Sequence, residues 1–252
     1  MFSARTRPFL TILAILAAAP LLGAQAQRPA ETRAVPLDLI CAPHASLSRP
    51  AQAMRIVGGI EPAKALFATG DIVLINAGAD HGLRAGQQFF ARRVIEDRFT
   101  VRTTDTSPLS IHTAGWLTLT EVRAGVSVAT VSEACDGVIE GDYLEAFELP
   151  AVTAALPAGE PDYDRPARVV LADDRRQMGA GGGSLMVVDR GSDHGLKPGQ
   201  RLTIFRHTVA GTGPVITIGD AYIASTRPDT SVMRIEKSRE AIQVGDLIAI
   251  HR

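Results

Sequence analysis

The chain has 252 residues, 46% of them hydrophobic, with 26 basic residues against 27 acidic ones. So even a balance carries no electrostatic footprint for nucleic acid or for an anionic membrane surface. Aromatic residues make up 5% and Trp116 is the single tryptophan, which counts against a glycan platform of stacked rings.

Residues 1–26 read as an export signal. Arg5 and Arg7 give a positive start, Pro8 to Gly23 is almost wholly apolar, and Ala24-Gln25-Ala26 has the small-x-small form of a cleavage site. The apolar run falls short of the roughly 20 residues a spanning helix needs, and no basic stop-transfer cluster follows it. The expected location is periplasmic or secreted, with no transmembrane segment after cleavage. Residues 27–54 then form an amino-terminal arm. It carries Cys41, one of two cysteines in the chain, the other being Cys135. An even pair in an oxidising compartment predicts a disulfide, and this one would clip the arm onto the domain that follows.

From Arg55 onward the chain repeats itself. Gly78-Ala79-Asp80-His81-Gly82-Leu83-Arg84-Ala85-Gly86-Gln87 returns as Gly191-Ser192-Asp193-His194-Gly195-Leu196-Lys197-Pro198-Gly199-Gln200. At the same offset Arg55 matches Arg168, Gly70 matches Gly183 and Arg93 matches Arg206. After a shorter offset, Gly115 matches Gly219, Arg123 matches Arg227, Val128 matches Val232, and Gly141-Asp142 matches Gly245-Asp246. The self-similarity predicts a first module over 55–147, a Pro- and Ala-rich linker over 148–167 and a second module over 168–252. The difference between the offsets is an insert between Arg93 and Gly115 in the first copy, read as an exposed polar loop holding Arg98, Arg102, Asp105, Ser107 and His112.

Each module reads as short strands in chain order. In the first they are 71–76, 88–93, 115–122, 127–131 and 143–147. Their counterparts in the second begin at 185–189 and 201–206 and end at 231–235 and 247–250. Alternation such as Leu117 and Leu119 against Thr118 and Thr120, with turn residues every few positions, predicts an all-β fold of two tandem small β-barrels. The repeated phrase is expected to be a structural turn. Asp80 and Asp193 would accept from backbone N–H groups just downstream, Gly82 and Gly195 would take left-handed angles, and Gly86 and Gly199 would close it.

Other chemistry finds little footing. Asp-His couples serve general-base and metal sites, but adjacent side chains rarely point at one another. The six histidines are scattered without ligand spacing, so no metal and no cofactor is expected. Gly179 to Gly183 is not followed by Lys-Ser or Lys-Thr, as a phosphate-cradling loop requires. Arg55-Ile56-Val57-Gly58-Gly59 matches the activation site of trypsin-like proteases over five residues, yet that family's nucleophile and base motifs are missing.

The pattern of a strand, Gly-x-x-x-Gly-Leu-x-x-Gly-Gln and a second strand, closing on Gly-Asp and a last strand, resembles small SH3-like β-barrel modules of bacterial envelope proteins. The carboxy-terminal domain of the flagellar T-ring protein looks similar, as do exported proteins that pair such modules with LysM segments. The resemblance covers Arg55 to Phe147 and Arg168 to Arg252, without a LysM segment. It implies a non-enzymatic envelope role through contact with another envelope protein or a cell-wall component. The alternative is an exported hydrolase with a site between the modules, using Asp80, His81 or His112.

Overall fold

The computed structural model describes residues 34–95, 109–172, 179–209 and 212–252. The signal segment and four insert residues named above (Arg98, Arg102, Asp105 and Ser107) lie outside these. Among the described residues the fold is all-β, apart from one short helix and two single 3-10 turns. No helix among the described residues is long and apolar enough to cross a membrane.

The arm forms α1 (Leu37–Cys41) and strand β1 (His44–Ser46). The first module follows with β2 (Ile56–Gly59), β3 (Leu66–Phe67), β4 (Ile72–Ile75), β5 (Gln88–Ile95), β6 (Leu109–Val122), β7 (Ser127–Ala134), β8 (Val138–Ile139) and β9 (Tyr143–Ala146). The second comprises β10 (Pro161–Ala172), β11 (Gly179–Ala180), β12 (Leu185–Val188), β13 (Arg201–Val209), β14 (Thr212–Thr226), β15 (Ser231–Ser238), β16 (Ile242–Gln243) and β17 (Leu247–His251).

In the first module the strands pair in the order β2-β4-β7-β6-β5-β9, with β1 of the arm added to β6. In the second the order β10-β12-β15-β14-β13-β17 closes into a barrel. The two therefore differ from a pair of equally closed barrels. The ends of the first sheet meet at a single bridge, Arg55 to Tyr143, whereas β10 pairs with β17 from Pro161 to Arg168. The difference lies in strand length at the amino end. β10 begins at Pro161, well ahead of Arg168, whereas β2 begins at Ile56, the position matching Val169, so β2 lacks the leading stretch that pairs with β17 in the second module.

Two expectations are corrected here. The stretch read as linker over 148–167 is strand from Pro161 onward, and Leu156 ahead of it donates its N–H to the Gly199 carbonyl at 2.7 Å. Two of its four prolines misled because they occupy tolerated strand positions. Pro161 is the first residue of β10, and Pro166 sits in the register break between Asp162 and Ala167. The insert, likewise, is not all loop. Leu109 to Ala114 belong to β6, which places His112 in a strand at 8% exposure.

Each module has its own core, one around Ile56, Val73, Leu117 and Val131, the other around Val169, Met186, Ile204 and Ile235. Alternation supplies them, since successive strand residues face opposite sides of the sheet. Each module carries the same ion pair, its carboxylate buried and its arginine half-buried. Arg93 grips Asp142 through two bonds of 2.7 and 2.8 Å, and Arg206 grips Asp246 at 2.6 and 2.7 Å. The carboxylates also accept the N–H groups of Ile139 and Gln243. Planar two-point contact of this kind suits arginine and not lysine. Its bonds to Asp246 hold the Arg206 pKa above the ordinary arginine value.

Candidate functional site at the junction of the modules

The repeated phrase is a 3-10 turn in both modules, Ala79–His81 and Ser192–His194. Gly82 and Gly195 follow at φ of 75° and 83°, in the left-handed region. Gly86 and Gly199 also have positive φ, and their N–H groups donate to the carbonyls of Leu119 and Ile223. The phrase grips the neighbouring hairpin by its backbone. Ala79 and Asp80 donate to the Arg123 and Ala124 carbonyls, as Ser192 and Asp193 do to Arg227 and Pro228. A Cβ at Gly78 or Gly191 would overlap the Arg123 or Arg227 carbonyl, so this approach demands glycine.

The side chain that ties each turn is histidine. His81 Nδ1 accepts the Gly78 N–H at 3.4 Å, and His194 Nδ1 accepts that of Gly191 at 3.2 Å. Asp80 and Asp193 are exposed, and their role in the turn is carried by backbone N–H groups rather than by the expected carboxylate acceptance. The imidazole wins because it sits three residues beyond the glycine, where the turn brings its Nδ1 back onto that N–H.

Nothing lies within 4 Å of where a Cβ would stand at Gly82 or Gly195, so substitution there meets backbone strain without a clash. Gly82→Val and Gly195→Val should each destabilise by about 1–3 kcal/mol in thermal melts. His81→Ala and His194→Ala each lose one partly buried hydrogen bond and should cost about 1 kcal/mol. A His81→Ala protein that melts normally yet fails to complement a deletion would point to chemistry at the Asp-His couple.

The first-module phrase and His112 are not brought together. The turn holds Arg123, just past the carboxy end of β6, while His112 lies near the amino end of that 14-residue strand. His112 instead joins a polar cluster where arm and modules meet, beside a cavity of about 440 Å³.

The disulfide Cys41–Cys135 fixes the arm to the first module, with Cα atoms 5.6 Å apart. β1 runs antiparallel to β6, His44 opposite Ile111. The arm's other side lies on the second module. Leu39, Ala42 and Ala45 share a buried cluster with Val170, Leu185 and Val232. Thr230 Oγ1 donates to the Ala45 carbonyl at 2.9 Å, and Arg234 pairs with Asp38 at 2.8 Å.

Glu145 of β9 is the hinge of the polar contacts. Its carboxylate accepts from Arg92 Nε at 3.1 Å and from Arg227 Nη1 of the second module at 3.2 Å. Arg92, at 4% exposure, also donates to Thr113 Oγ1 and stacks 4.1 Å from the Phe90 ring centroid. Phe90 packs in turn on Phe147 and Trp116. Burial, with Arg227 adding to it, brings the Arg92 guanidinium down to a pKa of about 10. Burial and the Glu145 charge push the Tyr143 phenol up to about 12, so it stays protonated. His44 is held neutral. Burial first, then the charges of Arg227, Arg92 and His112, push its pKa down to about 2.

The chemical capacity of this junction is cohesive. Glu145, the carboxylate between the modules, is neutralised by two guanidinium groups, and His44 resists taking a proton. The second phrase contributes indirectly, because Ser192 and Asp193 hold the Arg227–Pro228 turn that reaches Glu145. Among the described residues, no three His, Cys, Asp or Glu side chains are grouped to hold a metal ion. His44, Arg92 and Glu145 carried no sequence signal. Arg227 was visible only as a repeat of Arg123.

No protein-family model matches the chain, and no curated protein sequence matches it significantly.

Proposed function

We propose that the chain is two copies of one SH3-like β-barrel unit, exported by its amino-terminal signal to the periplasm or beyond. In this reading it is a non-enzymatic interaction or scaffolding protein of the cell envelope, holding another envelope protein or a cell-wall component. The observation that carries the reading is the arm. One segment is bonded to the first module by a disulfide and a strand ladder, and its apolar side chains are buried on the second. Such a clasp sets two small modules at a fixed relation, which suits presentation of a surface. The two-copy reading is supported by like roles at like positions, Arg93–Asp142 and Arg206–Asp246 among them.

Chemical cross-linking of the native cell envelope, followed by isolation of this protein and mass spectrometry, tests the proposal. A defined partner, captured equally by the wild type and by His81→Ala, is the expected result. Turnover of a peptidoglycan or ester substrate by the pure protein, abolished in His81→Ala or His112→Ala, would overturn it in favour of an exported hydrolase.

A further inference from the structure

The outer faces of the two sheets are built alike but covered differently. In the second module Val170, Leu185, Val187 and Val232 face away from the barrel core, and all are buried, at 2, 2, 1 and 7% exposure, in one cluster with the arm. At the matching sequence positions of the first module stand Val57, Ile72, Leu74 and Val128. Leu74 lies opposite Val128 in the β4–β7 ladder, and Ile72 lies two residues before Leu74, so these three share a face. Val57 and Ile72 are 46 and 36% exposed, and Leu74 and Val128 are half-buried. Val126, at the position where Thr230 holds the arm, is 42% exposed. Beside it Arg123, the counterpart of Arg227, pairs with Glu121 in the open, the side chains 74 and 54% exposed.

We infer that this face docks an arm-like segment of a different protein chain. The segment would be a helical turn running into a strand, with small apolar side chains in the places of Leu39, Ala42 and Ala45. One thing on the molecule specifies that occupant. The twin face carries such a segment, its apolar side chains buried with Val170, Leu185 and Val232. The chain's own arm is engaged, held by Cys135, Arg234 and Thr230, and the arm of a second copy is engaged in the same way. On the twin face the arm is held by buried apolar side chains, one hydrogen bond and one ion pair, its backbone ladder being with β6. The inference rests on reading the modules as copies of one unit.

The probe is a synthetic peptide of residues 35–48 carrying Cys41→Ser, titrated into the intact, disulfide-bonded, nitrogen-15-labelled protein. The tethered arm outcompetes the peptide on the second module by its effective concentration. Saturable binding with Kd below about 1 mM is expected, with amide shifts centred on β2, β4 and β7. Ile72→Glu and Val57→Glu, both at exposed sites, should keep the wild-type melting temperature and weaken binding at least tenfold. No binding, shifts centred on Val170 and Val232, or affinity unmoved by both variants would overturn the inference. Those results would leave the envelope role standing. Peptide binding at this face without any cross-linked envelope partner would overturn the envelope role and leave the docking face standing.

Discussion

Removing the Cys41–Cys135 disulfide, by reductant or by the paired change Cys41→Ser and Cys135→Ser, should destabilise the protein by about 4–5 kcal/mol, because the bond closes a 94-residue separation in the unfolded chain. The consequence in the folded state is specific to the arm. Released from the disulfide, it retains three β1 residues paired with β6, hydrogen bonds from Thr113 and Thr230, the Asp38–Arg234 pair and the apolar packing of Leu39, Ala42 and Ala45. A three-residue strand, a partly exposed ion pair and three mostly small apolar side chains hold weakly against the entropy of a free terminus. When the arm leaves, Val170, Leu185 and Val232 meet water, and the modules lose a segment they share. Differential scanning calorimetry with and without reductant at fixed pH reads this out. The oxidised protein should melt in one transition, and the reduced protein lower and in two. A reduced protein that melts at the same temperature as the oxidised one would show that the arm holds the modules without its covalent tie.

What the sequence disclosed and what it hid divide along one physical line. Residues that recur do work each module needs for itself. Gly78 and Gly191 admit a carbonyl that a Cβ would exclude, and Arg93 with Asp142 forms the same grip as Arg206 with Asp246. Those positions were visible because they occur twice, although repetition alone did not reveal that the arginine and the aspartate are partners. Residues of the junction do work that only one module needs. Arg92 faces the arm where Phe205 stands in the second module, and Glu145 stands where the second has Ala249. A search for self-similarity passes over such differences, and here the differences are where arm, first module and second module meet. The arm itself was legible as a disulfide clip. Its bridging role was not, since Leu39, Ala42 and Ala45 are too few and too small to form a pattern. Strand length followed the same logic. Prolines suggested a linker, yet a strand accepts proline at its first residue and at a bulge, and β10 uses both places.

Acid should loosen this junction well before the carboxylates titrate, and His44 should be the group responsible. Its pKa falls from 6.5 in the unfolded chain to about 2 in the folded protein. The folded state therefore takes up no proton on His44 through the mildly acidic range, whereas the unfolded chain takes one as pH drops below 6.5. For a depressed histidine, stability is fully present above the unfolded pKa and drains away as pH falls toward the folded value. The slope is about 1.4 kcal/mol per pH unit, or about 2–3 kcal/mol lost by pH 4.5. Chemical denaturation at intervals from pH 7.5 to 4.5 measures the slope directly. His251, whose pKa is also lowered by burial, contributes in the same direction in every variant, so the informative quantity is the difference between wild type and His44→Gln. That variant changes the stability at neutral pH by an amount that packing decides, but its acid slope should be shallower by one proton. Parallel curves for the two proteins would mean that His44 is protonated in the folded state. The cluster would then have to hold that charge beside Arg92 and Arg227, with Glu145 the anion between the two guanidinium groups.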